Sequence, residues 1–475
     1  MGYTSTRSLS KIELSRVYRI SRPPDFIKRL INEDVEKFCK EEPEECAKNV
    51  KKYFKDRNID VYYISDFPDT FIVKGELPQP YQNYFTEIKP QNIIDKLGFS
   101  EQNIRYIFQN GVEGPPYRIL QYPPYECEPY GVNEIIIYYD DLKYKHAWQK
   151  IMQPYLSNFP INVHIEYKQL TNLDELLGEG GLKIALLSRE RFRKEKEHIA
   201  SIKVRSYSDS DKASRLQLVD GDKLLEKMKM KKEVEYYIAN LLSAIYFKIG
   251  CTPFYVDLSS PKYLYLQRAL YIGVAIAKPR KADDNYLKGV AVIMTGKGKI
   301  LEYVDKDFIL EGRSLEFQKS ELEKFVKVVK EHIDNYKKRF GPDLPLVVVL
   351  RSRKFADWEW KVLKHNFYKP WLALVSKNTN LLVMSYYKTK HNIGRSHAIH
   401  VGDRGHGVWL VQLRKFKYAV YINYYTTADD PNLPVATYLY LRALDFTSLN
   451  LNRTTLPPIK YAKRYLKWWI LEENP

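Results

Sequence analysis

Three cations follow one of the most apolar runs in the chain, and they are strong candidates for binding an anionic ligand. Arg351, Arg353 and Lys354 come directly after the run at residues 346–350. Open α/β sheets bind their ligands beyond the carboxyl ends of their strands, so cations at this place predict contact with an anion. A groove lined by such cations would read a nucleic-acid duplex through its phosphate backbone. Further cations that could line it are Arg395, Arg404, Arg414 and Lys460.

Four histidines fall among glycines between residues 391 and 406, and they raise the question of a metal site. Imidazole nitrogens bind transition metals, and Asp403 is the one acid in the stretch that could join them. The stretch holds no cysteine and its spacing fits no standard zinc pattern. A polar loop near a nucleic-acid duplex is therefore favoured over a metal site. The four are His391, His397, His400 and His406.

The charge balance favours a polyanionic partner. The 475 residues carry a net charge of +18, and the pI is near 9.3. Nucleic acid is the first candidate for such a partner, and an acidic membrane surface is the second. The alternative is that the lysine-rich surface serves thermal stability alone.

The cysteines and the apolar runs limit the class of protein. The four cysteines form no CxxC pair, so their spacing indicates neither a zinc site nor a disulfide framework. No apolar run reaches the roughly 18 residues that span a bilayer, and residues 1–16 hold no apolar signal core. We therefore expect a soluble, cytoplasmic protein without direct membrane insertion. The cysteines are Cys39, Cys46, Cys127 and Cys251.

The opening section of the chain is charged and carries no recognisable chemistry. A chain of 475 residues predicts two or three domains. A helix is predicted over residues 34–56, interrupted near Pro43, with short strands at 61–64 and 70–73. Five prolines between residues 115 and 129 mark the next boundary. Residues 1–105 are therefore expected to form an α+β accessory or partner-docking section.

Strands then alternate with helices, which predicts a parallel, doubly wound sheet. In the last helix of this region the apolar residues recur at helical spacing, and Gly250 stands where a C-terminal glycine cap belongs. The predicted strands are residues 133–139, 161–167 and 181–187, and the predicted helices are 145–156, 191–202 and 222–249.

A second α/β unit follows Pro253 and is organised around an apolar strand at residues 271–277, buried on both faces. Three strands, an amphipathic helix and another apolar strand are the order expected of a ribonuclease H-like core. The other predicted strands are residues 289–294, 300–304, 346–350, 371–375, 381–385, 407–413 and 418–424. The predicted helices are residues 314–340, 434–445 and 461–469.

Two segments in this order resemble the Argonaute family. The sequence IANLLSAIYFKIGCTP at residues 238–253, followed by LYIGVAIA at 270–277, resembles the junction of the MID and PIWI domains. The sequence DFTSLNLNRTTLPPIKYAKRY at 445–465 resembles the end of a PIWI domain. The chain is thus similar to a short prokaryotic Argonaute of archaeal type. The resemblance implies an accessory section at 1–105, a Rossmann-like MID domain at 106–258 and a ribonuclease H-like PIWI domain at 259–475.

This resemblance implies that the MID domain grips the 5′-phosphate of a guide strand. Cations and amide donors that converge on one dianion near a helix end would provide the grip. Lys248 matches the family's helix lysine, and Gln217 resembles its glutamine. Phe192 and Lys196 match its tyrosine-and-lysine pair, although a phenylalanine can stack on a base but cannot donate to phosphate. Mg²⁺ beside the phosphate is the one cofactor that the resemblance implies. The alternative for Lys248 is a structural cation at a helix C-terminus.

The resemblance also implies a degenerate nuclease centre. Two-metal hydrolysis of a phosphodiester needs several carboxylates or a histidine around paired cations. The positions that match the family's acids hold Ala275, Ser352 and Lys460, and a lysine there would repel metal ions. Arg313 is expected at the loop that supplies a fourth ligand. We therefore expect neither a catalytic metal nor nuclease activity.

Two alternatives to this interpretation stay open at the level of residues. Glu311 or Glu316 could reach the centre instead of Arg313. The strand could also have been misplaced, in which case an acid such as Asp357 or Asp403 would serve.

Together these features predict a guide-directed sensor. The guide is expected to be RNA rather than DNA, the target complementary DNA, and the partner a separate effector protein in a hetero-oligomer that defends against invading DNA. One alternative is an active metal-dependent, guide-directed endonuclease, and another is a basic nucleic-acid-binding protein without a guide. The residues expected to hold the nucleic-acid backbone are Arg351, Arg353, Lys354, Arg395 and Arg404.

Overall fold

A computed structural model gives the architecture of two compact units. One unit comprises Met1–Leu97 with Leu374–Val435, and the other comprises Gly98–Ala373 with Ala436–Pro475. The predicted domain boundaries after residues 105 and 258 stay predictions. The structure describes residues 14–31, 34–93, 97, 104–127, 134–156, 163–172, 175–176, 181–199, 216–258, 261–277, 286–309, 319–340, 346–351, 355, 357–367, 371–379, 396–403, 405–413, 418–446 and 455–470.

The first unit opens with an antiparallel sheet whose strands run in the order β2-β3-β1-β4. Helix α2 covers one face, where Val50 and Phe54 join Phe71 in a buried core. Pro43 opens α2, so the predicted interruption is the junction of two helices. The elements are β1 (Ser15–Ile20), α1 (Val35–Glu41), α2 (Pro43–Lys55), β2 (Val61–Ile64), β3 (Phe67–Lys74), α3 (Gln79–Gln82) and β4 (Phe85–Ile88).

The second unit opens with three short strands and continues into a four-stranded sheet in the order β11-β10-β8-β9. All of its strand pairs are parallel, as predicted. Strands β8 and β10 are buried along almost their whole length, which explains their largely apolar sequences. The elements are β5 (Ile104–Ile107), β6 (Glu113–Gly114), β7 (Glu126–Cys127), β8 (Glu134–Tyr139), α4 (Leu142–Leu156), β9 (His164–Gln169), β10 (Leu182–Leu187), α5 (Arg189–Ile199), β11 (Leu216–Asp220), α6 (Gly221–Met228) and α7 (Lys231–Lys248).

The single helix predicted over residues 222–249 is wrong, because the chain forms two helices there. Asp220 caps α6 by accepting a hydrogen bond from the backbone N–H of Lys223 at 2.8 Å. At Met230 the backbone leaves the helical region, with φ −114° and ψ 88°, and α7 begins at the next residue. The apolar spacing is helical in both pieces, so it could not reveal the break between them.

The cysteines are paired, contrary to the expectation from their spacing. Strand β12 (Cys251–Thr252) runs antiparallel to β7 and places Cys251 directly opposite Cys127, and the two form a disulfide. Cys39 and Cys46, in the helical pair α1 and α2, form a second disulfide. The partners of the longer bridge are 124 residues apart. Which cysteines pair depends on the tertiary structure, and the spacing of cysteines in the sequence does not predict it.

A mixed sheet follows β13 (Tyr255–Leu258) in the same unit. Its strands run in the order β16-β15-β14-β17, and β14 is antiparallel to β15 but parallel to β17. This is the predicted arrangement of three strands, a helix and an apolar strand. The elements are β14 (Leu270–Ala277), β15 (Tyr286–Thr295), β16 (Ile300–Ile309), α8 (Lys319–Phe340), β17 (Val347–Arg351) and α9 (Asp357–Asn366).

The last strands belong mainly to the first unit and run in the order β18-β21-β20-β19. In that unit Val17 and Ile72 of the opening sheet pack with Ile399 and Leu410 in a shared core. The strand predicted at residues 381–385 falls outside the described part of the chain. The strands are β18 (Trp371–Asn378), β19 (His397–Gly402), β20 (His406–Gln412) and β21 (Val420–Thr426). Two helices follow them, α10 (Leu433–Ala443) and, in the second unit, α11 (Pro457–Ile470).

Among the described helices, none is both long enough and apolar enough to cross a membrane.

Candidate nucleic-acid interface

Helix α7 brings Lys248 to the start of strand β11. The helix ends at Lys248, and the chain leaves it through Gly250, whose φ of 88° lies in the left-handed region that favours glycine. The predicted glycine cap is therefore confirmed. The Nζ atom of Lys248 donates a hydrogen bond to the backbone carbonyl of Leu216, the first residue of β11. An ammonium group carries three donors, so one such bond can hold the side chain while the group also binds an anion.

Two more of the predicted phosphate-binding residues lie in the same region of the second unit. Gln217 directly follows Leu216, and its Nε2 atom donates to the backbone carbonyl of Leu218 at 2.9 Å. Phe192, half-buried on α5, packs against a buried apolar cluster that includes Leu216. The structure thus brings Lys248 to the residue before Gln217, and it packs Phe192 against the cluster that contains the same Leu216.

Lys196 lies on the same helix as Phe192, four residues further along. Residues four apart share one face of a helix, which is the spacing that suggested the pair. The backbone of Lys196 belongs to α5, and its side chain is outside the described atoms. Its part in binding phosphate stays a prediction.

Ala275 lies near the end of β14, 2% exposed, on the face of the sheet that α11 covers. Side chains two residues apart on a strand lie on the same face of the sheet, so Ala275 lies on the same face as Gly273. A Cβ atom added at Gly273 would lie 2.2 Å from the carbonyl carbon of Pro458, at the start of α11. An alanine offers no metal ligand at this place.

Lys460 is held in a buried ion pair that the sequence analysis did not anticipate. Its Nζ atom lies 2.7 Å and 2.6 Å from the two carboxylate oxygens of Asp445. Lys460 is 9% exposed and Asp445 5% exposed. The predicted repulsion of metal ions assumed an uncompensated ammonium, whereas here a carboxylate neutralises it.

Arg351 is a structural residue in this molecule rather than an exposed contact for nucleic acid. It is 7% exposed, and its Nη1 atom lies 2.5 Å from Oε1 of Glu359 on α9. The pair lines a small apolar cavity with Val274, on the face of the sheet opposite Ala275. A guanidinium that is buried and paired with a carboxylate is not exposed to bind a phosphate. Arg351 is therefore not part of the candidate interface.

Several other candidates fall outside the described residues. They are Arg353, Lys354, Arg395, Arg404 and Arg414 of the expected groove, Arg313, Ser352, Glu311 and Glu316 of the expected degenerate centre, and His391. Asp357 begins α9, and its side chain is likewise outside the described atoms.

The remaining histidines pack within an antiparallel sheet instead of forming a polar loop. His400 lies against the ring of Trp409, with centroids 4.5 Å apart, and its Nε2 atom is 2.8 Å from the hydroxyl of Tyr424. His406 stacks on Tyr425 at 4.0 Å. His397 opens β19. Across the described residues no group of three or more His, Cys, Asp or Glu side chains could hold a metal ion.

The stability of the first unit is expected to fall as the pH drops below about 6.5, the ordinary pKa of histidine. Burial, and secondarily Arg19, lowers the pKa of His400, while Asp403 acts in the opposite direction. The unfolded chain therefore binds a proton more readily than the folded one, so protonation favours unfolding. Denaturant unfolding between pH 5 and 8 checks this. His400→Phe should flatten the pH dependence, and an unchanged pH dependence in that variant would contradict the assignment.

Comparison with known proteins supports the architecture. No family model and no curated protein matches the sequence. The Argonaute of Aquifex aeolicus is similar in structure, with a TM-score of 0.54 and 11% identity over 97% of this chain and 72% of that one. The Argonaute of Marinitoga piezophila with a 5′-OH guide RNA has a TM-score of 0.53 and 12% identity, over 95% of this chain and 96% of that one. The same Argonaute with guide RNA and target DNA gives equal values. The chain therefore has an Argonaute-like fold.

Proposed function

We propose that the protein binds a guide strand and uses it to recognise complementary DNA without cutting it. The Argonaute-like fold supports this, because the Argonaute of Marinitoga piezophila, which is similar in structure, was solved with guide RNA and with guide RNA and target DNA. The net charge of +18 suits a polyanionic ligand. Base pairing with the guide would supply sequence specificity, while the protein holds the end of the guide and the backbone. The expected guide is RNA.

The observation that carries the proposal is the hydrogen bond from Lys248 to the carbonyl of Leu216, the residue before Gln217, with Phe192 packed against the cluster that contains Leu216. A 5′-phosphate needs a cation and hydrogen-bond donors at one point, and the ammonium of Lys248 and the amide of Gln217 are groups of these kinds. The ring of Phe192 offers a surface on which the first base can stack. We propose that these residues form the anchor for the guide's 5′ end, joined by Lys196.

Mg²⁺ at the guide's 5′-phosphate is proposed as an auxiliary cation. Magnesium prefers oxygen ligands and keeps several of its waters. The described residues contain no cluster of acids or histidines for such an ion. The guide phosphate and water would therefore supply its ligands.

The absence of cleavage is proposed from the residues of the degenerate centre. Ala275 carries no ligand atom, and the ammonium of Lys460 occupies a carboxylate that could otherwise bind a metal. The competing function is guide-directed, metal-dependent cleavage. It predicts product with Mg²⁺ or Mn²⁺ and loss of product when one acid is removed.

We also propose a separate effector protein as partner, in a cytoplasmic defence system directed against invading DNA. This proposal is based on the resemblance of the sequence to short Argonautes. Purification of the protein from its native cells tests it. Recovery of nucleic acid with no companion protein would count against the effector.

The anchor is tested by binding of single strands that differ only in a 5′-phosphate or 5′-hydroxyl. We expect the phosphorylated strand to bind more tightly, and Lys248→Ala to weaken its binding by about 10- to 100-fold, since a hydrogen bond to a charged group contributes about 1.5–3 kcal/mol. Binding of the hydroxyl strand should change little. Lys143→Ala, which removes an exposed cation from the same unit, is the matched control for net charge.

Equal binding of both ends would overturn the anchor. A preference for the hydroxyl end would assign this protein the guide chemistry seen in the Marinitoga structures. A guide-free nucleic-acid-binding protein predicts equal binding, with Lys248→Ala changing only the salt dependence, by about one unit of slope.

A further inference from the structure

We infer that Tyr461 and Phe446 are positioning residues for the guide anchor, because they hold the last turn of α7, which presents Lys248. The inference rests on the proposed function and goes beyond it, since neither residue belongs to the anchor. It gives the residues that follow Asp445 and Lys460 an indirect role in binding the guide.

The contact between α7 and these two residues is aromatic and lies next to Lys248. Phe247, the residue before Lys248, stacks on Tyr461 with ring centroids 5.2 Å apart and planes inclined by 21°. The same ring lies 5.7 Å from that of Phe446. Aromatic pairs at such distances stabilise their packing beyond simple burial. The orientation of the last helical turn is therefore tied to both rings.

A hydrogen bond joins the helix to the same segment one turn earlier. The hydroxyl of Ser243, which is fully buried, donates to the backbone carbonyl of Phe446 at 2.9 Å. Ser243 and Phe247 are four residues apart, so they share one face of α7. That face is thus attached to Phe446 through a polar contact and an apolar one.

The two aromatic residues are themselves held together by the buried ion pair. Phe446 directly follows Asp445, and Tyr461 directly follows Lys460. The contact of Lys460 with both carboxylate oxygens therefore fixes the two backbone positions from which the rings project. The ring of Phe446 is also packed closely against Gly298, where a Cβ atom would lie 2.4 Å away. This support leaves Phe446 little freedom to move.

The aromatic contact affects the position of the Lys248 ammonium and leaves its charge unchanged. A cation recognises a phosphate only when the supporting structure holds it within a fraction of an ångström. Loss of the aromatic contact would free the last turn of α7 and weaken the grip on phosphate, although every group that touches phosphate is still present. By linkage, phosphate binding should in turn stabilise the contact.

The test compares Tyr461→Leu with Tyr461→Phe. The first removes the ring and keeps an apolar side chain, while the second keeps the ring as a matched control. The readout is the ratio of the dissociation constants for 5′-hydroxyl and 5′-phosphorylated strands. We expect Tyr461→Leu to lower this ratio about 3- to 10-fold and Tyr461→Phe to preserve it. Combined with Lys248→Ala, Tyr461→Leu should cause no further loss of the ratio.

The outcomes separate the inference from the proposed function. If the unaltered protein shows no preference for phosphate, the proposed function fails and the inference fails with it. If the preference exists and Tyr461→Leu keeps it, or weakens both strands equally, only the inference is overturned. Should Tyr461→Leu fail to fold, Ser243→Ala removes the hydrogen bond to Phe446 and is expected to lower the ratio about 2- to 5-fold. An unchanged ratio in Ser243→Ala would then overturn the inference.

Discussion

Lys460→Met is expected to destabilise the second unit by about 3–5 kcal/mol, which is the usual cost of leaving a buried charge without its partner. The carboxylate of Asp445 would stay buried with no ammonium beside it. Denaturant unfolding of the purified protein measures the change, and α11 should be among the elements that lose protection from hydrogen exchange.

The matched control for this prediction removes both charges. Asp445→Leu combined with Lys460→Met replaces the pair by apolar groups, and such replacements are often neutral. We expect the double variant to recover most of the lost stability. A single variant as stable as the unaltered protein would show that the ion pair is not buried as described.

Removal of the Cys127–Cys251 disulfide is expected to cost about 5 kcal/mol, because it closes a loop with a sequence separation of 124. Cys127→Ala with Cys251→Ala should therefore lower the midpoint of unfolding of the second unit in oxidising buffer. A reducing agent should have the same effect on the second unit of the unaltered protein and none on that unit of the variant, which keeps only the Cys39–Cys46 disulfide.

The second disulfide provides the internal comparison. Cys39 and Cys46 are seven residues apart, so the loop they close is short and its loss should cost only about 2.5 kcal/mol. Cys39→Ala with Cys46→Ala should accordingly affect the first unit, and less strongly. Equal effects of the two double variants would contradict the dependence on loop length.

Elements that are buried on two faces were the most predictable from sequence. Strands β14 and β17 were placed within one residue at each end, because an apolar run with charged flanks has few other interpretations. Strand β19 was missed. It contains His397 and His400, and it is stabilised by pairing with β20 and by stacking on aromatic rings, neither of which its short sequence reveals.

The candidate site was predictable only where helical spacing or resemblance marked a residue. Lys248 and Gln217 were identified this way, and the structure brings them together through Leu216. Arg351 was misjudged because the sequence places it at a strand end but does not say which face it occupies. Its partner Glu359 lies on the next helix, and the pairing is a tertiary contact.

Asp445 is the clearest case of a residue that sequence alone could not assign. It stands 15 residues before Lys460, and only the folded chain joins them. A lysine at a position that matches a catalytic acid suggests simple loss of function. The structure shows instead that this lysine is integrated into the core, beside the rings that contact α7.

The central claim is that a guide directs the protein to DNA that it then leaves intact. The direct test loads the protein with a 5′-phosphorylated guide RNA and adds labelled complementary or unrelated DNA with Mg²⁺, measuring retention on the protein and the length of the recovered DNA. We predict selective retention of the complementary strand at full length. Equal retention of both strands, or a shortened complementary strand, would contradict the claim.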